Sequence, residues 1–236
     1  MALSVFAIIA AAGDSRRFGG RVRKPYVRLG RDPILLHSVR RLARIPSIRK
    51  MVILVNPEDE AMVRRRFLPR LRRYRVEEIV VGGRTRQESV QNGLAHVPPD
   101  ADLVLIHDAV RPLVPEAMIE ETIRVANKVG AAILAAPVKA TLKRAGMDRL
   151  IRTTIPRDDL WAAQTPQVFR RGLLLEAYLK AKADRFHSTD DAALVEYLGQ
   201  PVAIVEGDDG NIKITTREDL RIAKALLASP RKRRKR

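Results

Sequence analysis

Residues 3–24 read LSVFAIIAAAGDSRRFGGRVRK, an apolar run followed at once by an arginine-rich loop. Apolar runs of this length that end at a glycine are typical of strands buried on both faces of a parallel sheet. Open α/β sheets bind ligands in the loops that leave the carboxyl ends of such strands. The stretch therefore predicts a first core strand at residues 3–12 and a ligand-binding loop after it.

The charge of this loop indicates what the ligand carries. Between residues 13 and 31 the only acid is Asp14, and there are seven cations: Arg16, Arg17, Arg21, Arg23, Lys24, Arg28 and Arg31. Such a loop favours a ligand with several negative charges, such as a polyphosphate. The small residues at 10–13 also let a ligand approach the backbone closely. Charge alone leaves a solvated basic loop as the alternative.

The composition bounds the class of protein. A chain of 236 residues, 46% hydrophobic and 31% charged, can form one large soluble α/β domain with a proper core. The absence of cysteine excludes disulfides, thiolate metal sites and a cysteine nucleophile, and it fits a cytoplasmic location. No stretch approaches the roughly 18 apolar residues of a membrane span, and the first apolar run lacks the basic start of a signal peptide. We therefore predict a cytoplasmic protein that makes no use of a membrane.

The basic character of the chain is strongest at its end. The net charge is +18, and residues 231–236 are all lysine or arginine. Such a block is typical of a disordered tail that binds nucleic acid or anionic surfaces non-specifically. We predict a basic disordered tail at residues 230–236 and assign it no function.

Predicted strands and helices alternate along most of the chain. Further strands are predicted at 51–55, 76–81, 103–106 and 131–136, with helices between them. This alternation predicts an α/β fold, a Rossmann-like three-layer sandwich with a mostly parallel sheet. The pattern breaks at 137–155, which we interpret as a protruding two-stranded arm with its turn near 146–148. Helices at 171–183, 190–198 and 218–227, a strand at 202–205 and a short run at 212–214 follow, in a single domain covering 1–229.

Four loops at the carboxyl ends of predicted strands share one rim: 13–24, 82–89, 107–111 and 137–141. Gly82 and Gly83, followed by Arg86 and Ser89, offer exposed backbone and a helix N-terminus that can bind a base, ribose or phosphate. Asp108 ends an apolar strand, where a carboxylate that holds Mg²⁺ against phosphates is typically found. A simple tight turn and a helix cap are the respective alternatives.

Several common motifs are absent from the sequence. It contains no GxxxxGK[ST], no GxGxxG after the first strand and no GxSxG. These absences disfavour a Walker-type site, a nicotinamide cofactor and a serine nucleophile on an elbow. Four scattered histidines without cysteine disfavour a dedicated zinc site.

Taken together, the motifs resemble the sugar-phosphate nucleotidyltransferases, and most closely the 2-C-methyl-D-erythritol 4-phosphate cytidylyltransferase family. The resemblance spans about residues 3–227. It rests on AAAGDSRRFG at 10–19 with Lys24, GG at 82–83 with Arg86 and Ser89, HDAVRP at 107–112, APV at 136–138 with Thr141, Arg157, QTPQ at 164–167, TD at 189–190, EG at 206–207 and NIK at 211–213.

The resemblance implies a CTP-dependent transfer in which the phosphate of methylerythritol phosphate attacks the α-phosphorus of CTP and pyrophosphate leaves, with Mg²⁺ as cofactor. The catalytic residues that it implies are Arg17, Lys24, Arg157 and Lys213. Those implied for CTP binding are Ala11, Ala12, Gly13, Gly82, Arg86, Ser89, Asp108 and Ala109, with Asp108 also on the metal. Those implied for the sugar phosphate are Arg111, Thr141, Arg157, Thr165 and Lys213. The arm, at about 137–156, would interlock with a second subunit in a homodimer.

Two other functions remain open at this stage. A ribitol-5-phosphate cytidylyltransferase has a similar fold and chemistry, but the AAAG start and the run TIPRDDLW at 154–161 favour the methylerythritol enzymes. A nucleic-acid-binding protein would suit the charge. However, aromatic residues make up only 4% of the chain and the basic residues are spread over many helices, so no stacking platform is indicated.

Overall fold

The computed structural model describes residues 2–14, 18–19 and 22–228. Within them the strands are β1 (Val5–Ala11), β2 (Arg28–Leu29), β3 (Asp32–Pro33), β4 (Ile48–Val55), β5 (Val76–Val81), β6 (Leu103–Asp108), β7 (Ala131–Pro137), β8 (Leu142–Ala145), β9 (Ile151–Ile155), β10 (Trp161–Arg170) and β11 (Ala203–Glu206). The helices are α1 (Ile34–Ala43), α2 (Glu60–Arg66), α3 (Leu68–Leu71), α4 (Arg86–Leu94), α5 (Glu116–Val129), α6 (Arg171–Ala183), α7 (Ala192–Tyr197) and α8 (Arg217–Ala228). None of these helices combines the length and the apolar character that crossing a membrane requires.

The central sheet has seven strands in the order β11-β7-β10-β6-β1-β4-β5. Every neighbouring pair is parallel except the two that involve β10, which runs antiparallel to β6 and to β7. Helices α1, α2, α3 and α5 pack on one face, and α4, α6 and α7 on the other. The predicted three-layer α/β architecture with a mostly parallel sheet is confirmed.

The central position of β1 in the sheet explains why its sequence is apolar without alternation. It lies between β4 and β6, and its side chains point alternately to the two faces of the sheet. Ala7 and Ile9 join the core on the α1 face, whereas Phe6 and Ile8 join the core on the α4 face. Because both faces are covered, polar residues are excluded from either set of positions.

The chain reverses its direction across the sheet at β1. After β1 it moves through α1 to β4 and through α2 and α3 to β5, all on one face. Helix α4 then crosses on the opposite face to β6, on the other side of β1. Such a switch point opens a crevice at the carboxyl ends of β1 and β6, where doubly wound sheets bind their ligands.

Two parts of the second half and one helix of the first half differ from the sequence prediction. Strand β10 was not predicted, because Gln164, Thr165 and Pro166 interrupt its apolar alternation; its register is irregular between Ala163 and Gln167. The run at 212–214 is not a strand, although Ile214 N–H donates to the carbonyl of Val110 (2.9 Å). The helix predicted at 58–73, with a break expected at Pro69 near its end, is divided into α2 and α3 with short 3₁₀ turns around them, and Pro69 lies in the first turn of α3.

The two-stranded arm is confirmed. Strands β8 and β9 pair antiparallel in a sheet of their own, and most of their side chains are exposed. The arm extends the hairpin formed by β7 and β10, since Val138 N–H donates to the carbonyl of Leu160 (3.0 Å) at its base. Its role in pairing two subunits and the single-domain boundary at 229 stay predictions, and the predicted tail at 230–236 lies outside the described residues.

Helix α8 begins with a carboxylate cap that gives the fold a measurable acid sensitivity. Asp219 accepts hydrogen bonds from Thr215 N–H (2.8 Å), the Thr215 hydroxyl (2.6 Å) and Thr216 N–H (2.8 Å). Burial alone would raise the pKa of Asp219, but these hydrogen bonds outweigh it and lower the pKa to about 2. Because an unfolded aspartate titrates near 3.9, the stabilisation is complete above about pH 4 and is lost as the pH falls towards 2.

We expect Asp219→Asn to lower the free energy of unfolding by about 1 kcal/mol at pH 7 and by about half as much at pH 3. Urea unfolding at the two pH values measures this difference. The matched control is Glu218→Gln, which removes an exposed carboxylate from the same helical turn. A loss of equal size at both pH values would show that the charge of Asp219 is not what stabilises the cap.

Candidate active site

A cavity of about 690 Å³ lies at the carboxyl ends of β1, β4, β5 and β6. Its size is that of a typical small-molecule site. The lining consists of residues 10–14, 24–25, 56–58, 82–86, 89, 108, 110 and 213. Three of the four predicted rim loops therefore meet in one cavity, and the fourth, 137–141, does not contribute to its lining.

The glycine turn after β5 forms part of the cavity floor. A Cβ atom on Gly82 would lie 2.5 Å from the Cβ of Ala12, so only glycine lets the loops after β1 and β5 come this close. Gly83 N–H donates to the Ser89 hydroxyl (3.0 Å), which in turn donates to the carbonyl of Thr85 (2.8 Å). Thr85 caps α4 by accepting from Glu88 N–H (3.0 Å). The positive end of α4 is thus placed beside the cavity.

The basic loop after β1 reaches the cavity through Lys24. Lys24 opens a short 3₁₀ turn whose next two residues, Pro25 and Tyr26, are buried and anchor the loop. Arg23, by contrast, pairs with Glu58 (2.5 Å) and Asp59 (3.2 Å) and ties this loop to the one after β4. Of the predicted catalytic cations in the loop, Lys24 lines the cavity and Arg17 lies outside the described residues.

Asp108, at the end of β6, is surrounded by three cations. Its Oδ2 lies 2.8 Å from Lys213 Nζ and 3.6 Å from Arg111 Nε, and its Oδ1 lies 4.0 Å from Arg86 Nε. Burial alone would raise the pKa of Asp108, but Lys213, Arg86 and Arg111 outweigh burial and lower the pKa to about 2. The carboxylate is therefore ionised at neutral pH, and it aligns Lys213 at the cavity wall.

A chain of buried hydrogen bonds orients Asp108 from behind. Asp108 N–H donates to the Thr165 hydroxyl (3.0 Å), and that hydroxyl donates to His107 Nδ1 (3.0 Å). His107 Nε2–H then donates to the carbonyl of Arg111 (3.1 Å). These roles require the neutral imidazole, and burial lowers the pKa of His107 to about 4. Strand β10, which carries Thr165, thus sets the geometry at the end of β6.

We expect Thr165→Val, which preserves the shape of the side chain, to lower the free energy of unfolding by about 2 kcal/mol. The valine would leave Asp108 N–H and His107 Nδ1 buried without partners, and each such group is costly. Equilibrium unfolding in urea measures the loss. Thr165→Ser retains the hydroxyl and serves as the control. Equal stability of the valine and serine variants would contradict the network.

The structure brings together most of the predicted site residues. Those in the cavity lining are Ala11, Ala12, Gly13, Lys24, Gly82, Arg86, Ser89, Asp108 and Lys213. Ala109, Arg111 and Thr165 are buried and do not line the cavity. The backbone of Ala109 is engaged, because its N–H donates to the carbonyl of Ala10 (3.0 Å) and its carbonyl accepts from the Ser38 hydroxyl (2.8 Å).

Two predicted residues lie at the arm and away from the cavity. Thr141 is exposed just before β8, and Arg157 follows β9 with its guanidinium donating to the carbonyl of Lys139. Neither belongs to the cavity lining of this chain. Their predicted role with the sugar phosphate therefore requires the arm of a second copy or a movement of this one.

Sequence reasoning missed Asn56, whose amide donates to the carbonyl of Ala12 (3.5 Å) and which lines the cavity beside Pro57. The signal was available, because Asn56 directly follows β4, the strand next to β1. It also missed Asp191, which lies outside the cavity lining but pairs with Arg86 (2.6 Å). No local pattern relates Asp191 to Arg86, because the two residues are far apart in the chain.

The family model of 2-C-methyl-D-erythritol 4-phosphate cytidylyltransferase (IspD) matches residues 5–229 of this chain. The chain belongs to this family. The cytidylyltransferase of Desulforamulus reducens is 44% identical over 224 residues, which cover 95% of this chain and 96% of that protein. The one from Syntrophotalea carbinolica is also 44% identical, over 97% of this chain and 98% of that protein.

Solved structures of the family share the architecture. The 4-diphosphocytidyl-2C-methyl-D-erythritol synthase of Anaerococcus prevotii superposes with a TM-score of 0.83 at 33% identity, over 97% of both chains. The 2-C-methyl-D-erythritol 4-phosphate cytidylyltransferase of Thermus thermophilus gives a TM-score of 0.80 at 30% identity, over 97% of this chain and 100% of that chain. This chain therefore matches the cytidylyltransferase family in both sequence and fold along nearly its whole length.

Proposed function

We propose that this cytidylyltransferase-family protein transfers CMP from CTP to 2-C-methyl-D-erythritol 4-phosphate. The products are 4-diphosphocytidyl-2-C-methyl-D-erythritol and pyrophosphate, in the non-mevalonate route to isoprenoid precursors. The observation that carries the proposal is the cavity at the switch point of the sheet, which Lys24 lines and where Arg86 and Lys213 approach Asp108. This arrangement suits two polyanions that must be brought together.

The reaction needs no nucleophile from the protein. An oxygen of the substrate phosphate attacks the α-phosphorus of CTP, the bond from that phosphorus to the oxygen bridging the α- and β-phosphates breaks, and pyrophosphate leaves with the electron pair. The protein contributes position and charge. Lys24 lines the cavity, where its ammonium would neutralise charge that develops on the triphosphate. Arg17, in the same loop, is proposed for the same role.

CTP would lie across the loops after β1 and β5. The turn at Gly82 and Gly83 exposes backbone groups to the cavity, and the Ser89 hydroxyl holds that turn in shape. We propose that this turn, with the backbone at 11–13, reads the cytosine and ribose. The triphosphate would then extend towards Lys24 and the positive end of α4.

Asp108 is the proposed protein ligand for Mg²⁺. Among the described residues no cluster of three or more His, Cys, Asp or Glu side chains could hold a metal ion. Magnesium in nucleotide sites is commonly held by one or two carboxylates together with substrate phosphates, and the ionised Asp108, whose carboxylate is fixed at the end of β6 in the cavity wall, fits that pattern. Bound in this way, Mg²⁺ supplies charge neutralisation for the triphosphate.

The sugar phosphate would occupy the side of the cavity near Lys213. Lys213 is oriented by Asp108, and Arg111, buried behind it, donates to the carbonyl of Asn211 (2.7 Å) and so shapes the segment that carries Lys213. Thr141 and Arg157 lie at the arm, so we propose a homodimer in which the partner's arm completes this subsite. Met147, Leu150 and Ile151 expose apolar surface on the arm that such an interface would cover. The cytoplasmic location stays a prediction.

An assay with two alternative acceptors tests the proposed substrate. Purified protein with CTP and Mg²⁺ is expected to release pyrophosphate when 2-C-methyl-D-erythritol 4-phosphate is added, and to do so much more slowly with ribitol 5-phosphate. Coupled detection of pyrophosphate gives kcat/KM for each. Equal or faster turnover of ribitol 5-phosphate would overturn the choice of acceptor, and no turnover of either would overturn the proposed reaction.

A further inference from the structure

Arg86 reaches the cavity while bound to a carboxylate outside it. Its Nη2 lies 2.6 Å from Oδ2 of Asp191, whereas its Nε lies 4.0 Å from Oδ1 of Asp108. The Asp191 side chain is 1% exposed, and Asp108 lines the cavity. Arg86 thus bridges a carboxylate of the active site and a carboxylate of the core, with its closer contact to the core.

The position of the Asp191 carboxylate is set by groups other than Arg86. The hydroxyl of Tyr178, on α6, donates to its Oδ1 (2.6 Å). The backbone N–H groups of Asp191 and Ala192 both donate to Oε1 of Gln167, on β10 (3.1 and 3.2 Å). Asp191 is therefore a rigid anchor, because elements that flank it on two sides hold both its side chain and its backbone.

This anchor determines how Arg86 meets Asp108. Lys213 and Arg111 both approach Oδ2 of Asp108, and among the described residues no hydrogen bond is made to its Oδ1. Without the Asp191 carboxylate, the nearest remaining anion for the guanidinium would be Asp108 itself. A closer contact there would withdraw Arg86 from the cavity and occupy the carboxylate oxygen that faces it.

We propose that Asp191 is a positioning residue for CTP binding, which holds the Arg86 guanidinium at the cavity wall and away from Asp108. The triphosphate then meets a cation already in place, so less ordering is needed when CTP binds. The proposal rests on the proposed function for the identity of the ligand. It adds a residue outside the cavity whose effect on CTP passes through Arg86.

A double-mutant cycle on CTP binding tests the proposal. Isothermal titration with CTP and Mg²⁺, without the acceptor, gives Kd for the wild type, Asp191→Asn, Arg86→Gln and the double variant. We expect Asp191→Asn to weaken binding about tenfold and the double variant to bind no more weakly than Arg86→Gln, because Asp191 acts through Arg86. Asp191→Glu, which keeps the charge, should recover part of the affinity.

The control is Asp184→Asn, which removes a carboxylate at the end of α6 that contacts Lys180 and Tyr197 instead of Arg86. It should leave Kd for CTP unchanged, even where its melting temperature falls. If Asp191→Asn does not fold, Tyr178→Phe replaces it: this variant keeps the ion pair but removes the orienting hydroxyl, and it should weaken CTP binding about threefold.

Two results would overturn the proposal. Unchanged CTP affinity in Asp191→Asn, or in Tyr178→Phe where that variant replaces it, would show that Arg86 needs no anchor. Losses that add fully in the double variant would show that Asp191 affects CTP binding independently of Arg86. Failure of the wild type to bind CTP is a different outcome, because it overturns the proposed function together with this inference.

Discussion

Lys24→Ala is expected to lower kcat by about 10²–10³-fold while changing the melting temperature little, because its charge acts mainly where the transition state becomes more anionic than the bound substrates. Lys24 lines the cavity at the start of a turn that is anchored by the buried Pro25 and Tyr26. The loop should therefore keep its conformation without the lysine side chain. Steady-state kinetics with saturating CTP and thermal unfolding of the same preparation measure the two quantities.

The matched control for Lys24 is Arg28→Ala, which removes an exposed cation from the same basic segment outside the cavity lining. Its kcat should stay within about twofold of the wild type, since general attraction of anions is spread over many charges in so basic a chain. If the two variants lose activity equally, Lys24 contributes only to the general electrostatic attraction of anions by the basic chain. If Lys24→Ala unfolds at room temperature, the lysine is structural.

Asp108→Asn is expected to lower the free energy of unfolding by about 3 kcal/mol and to abolish measurable turnover. The substitution leaves Lys213, Arg86 and Arg111 around a site without its anion, and removing one partner of a buried charge cluster is strongly destabilising. Equilibrium unfolding in urea measures the stability. Turnover falls as well, because the proposed magnesium ligand and the orientation of Lys213 are lost together.

Two further variants test whether uncompensated positive charge causes the loss of stability in Asp108→Asn. Asp14→Asn removes another carboxylate from the cavity lining and should cost less than about 0.5 kcal/mol, because Asp14 is exposed. The double variant Asp108→Asn/Lys213→Met should be more stable than Asp108→Asn, because it also removes an uncompensated charge. A stability of Asp108→Asn equal to that of the wild type would contradict the charge cluster.

The features predictable from sequence are those encoded in short segments. The apolar run ending at Gly13, the double glycine after β5 and Asp108 after β6 each signal a strand end, and parallel strands bring their ends to one edge of a sheet. The cavity and most of its lining followed from this rule. The same rule places Asn56, which follows β4, at this edge of the sheet, but its role was not predicted.

The remaining features depend on pairings between distant parts of the chain. Thr165 orients Asp108 across 57 residues, and it does so because β10 enters the sheet beside β6. Strand β10 itself was not predicted, because Gln164, Thr165, Pro166 and Gln167 interrupt the alternation of apolar and polar residues that indicates a strand. The roles of Thr141 and Arg157 came from family resemblance alone, and they stay predictions because neither side chain lines the cavity of this chain.

The placement of the arm at the tip of the β7–β10 hairpin has an evolutionary consequence. The ladder between these strands is closed at Val138 and Leu160, so every residue between them can change without altering a pairing in the central sheet. The entropic cost of a longer connection rises slowly, by about 0.6 kcal/mol for each doubling of its length. Insertions, deletions and new surfaces in the arm can therefore accumulate without disturbing the central sheet, and selection on the proposed sugar-phosphate subsite acts on Thr141 and Arg157 at the two ends of the arm.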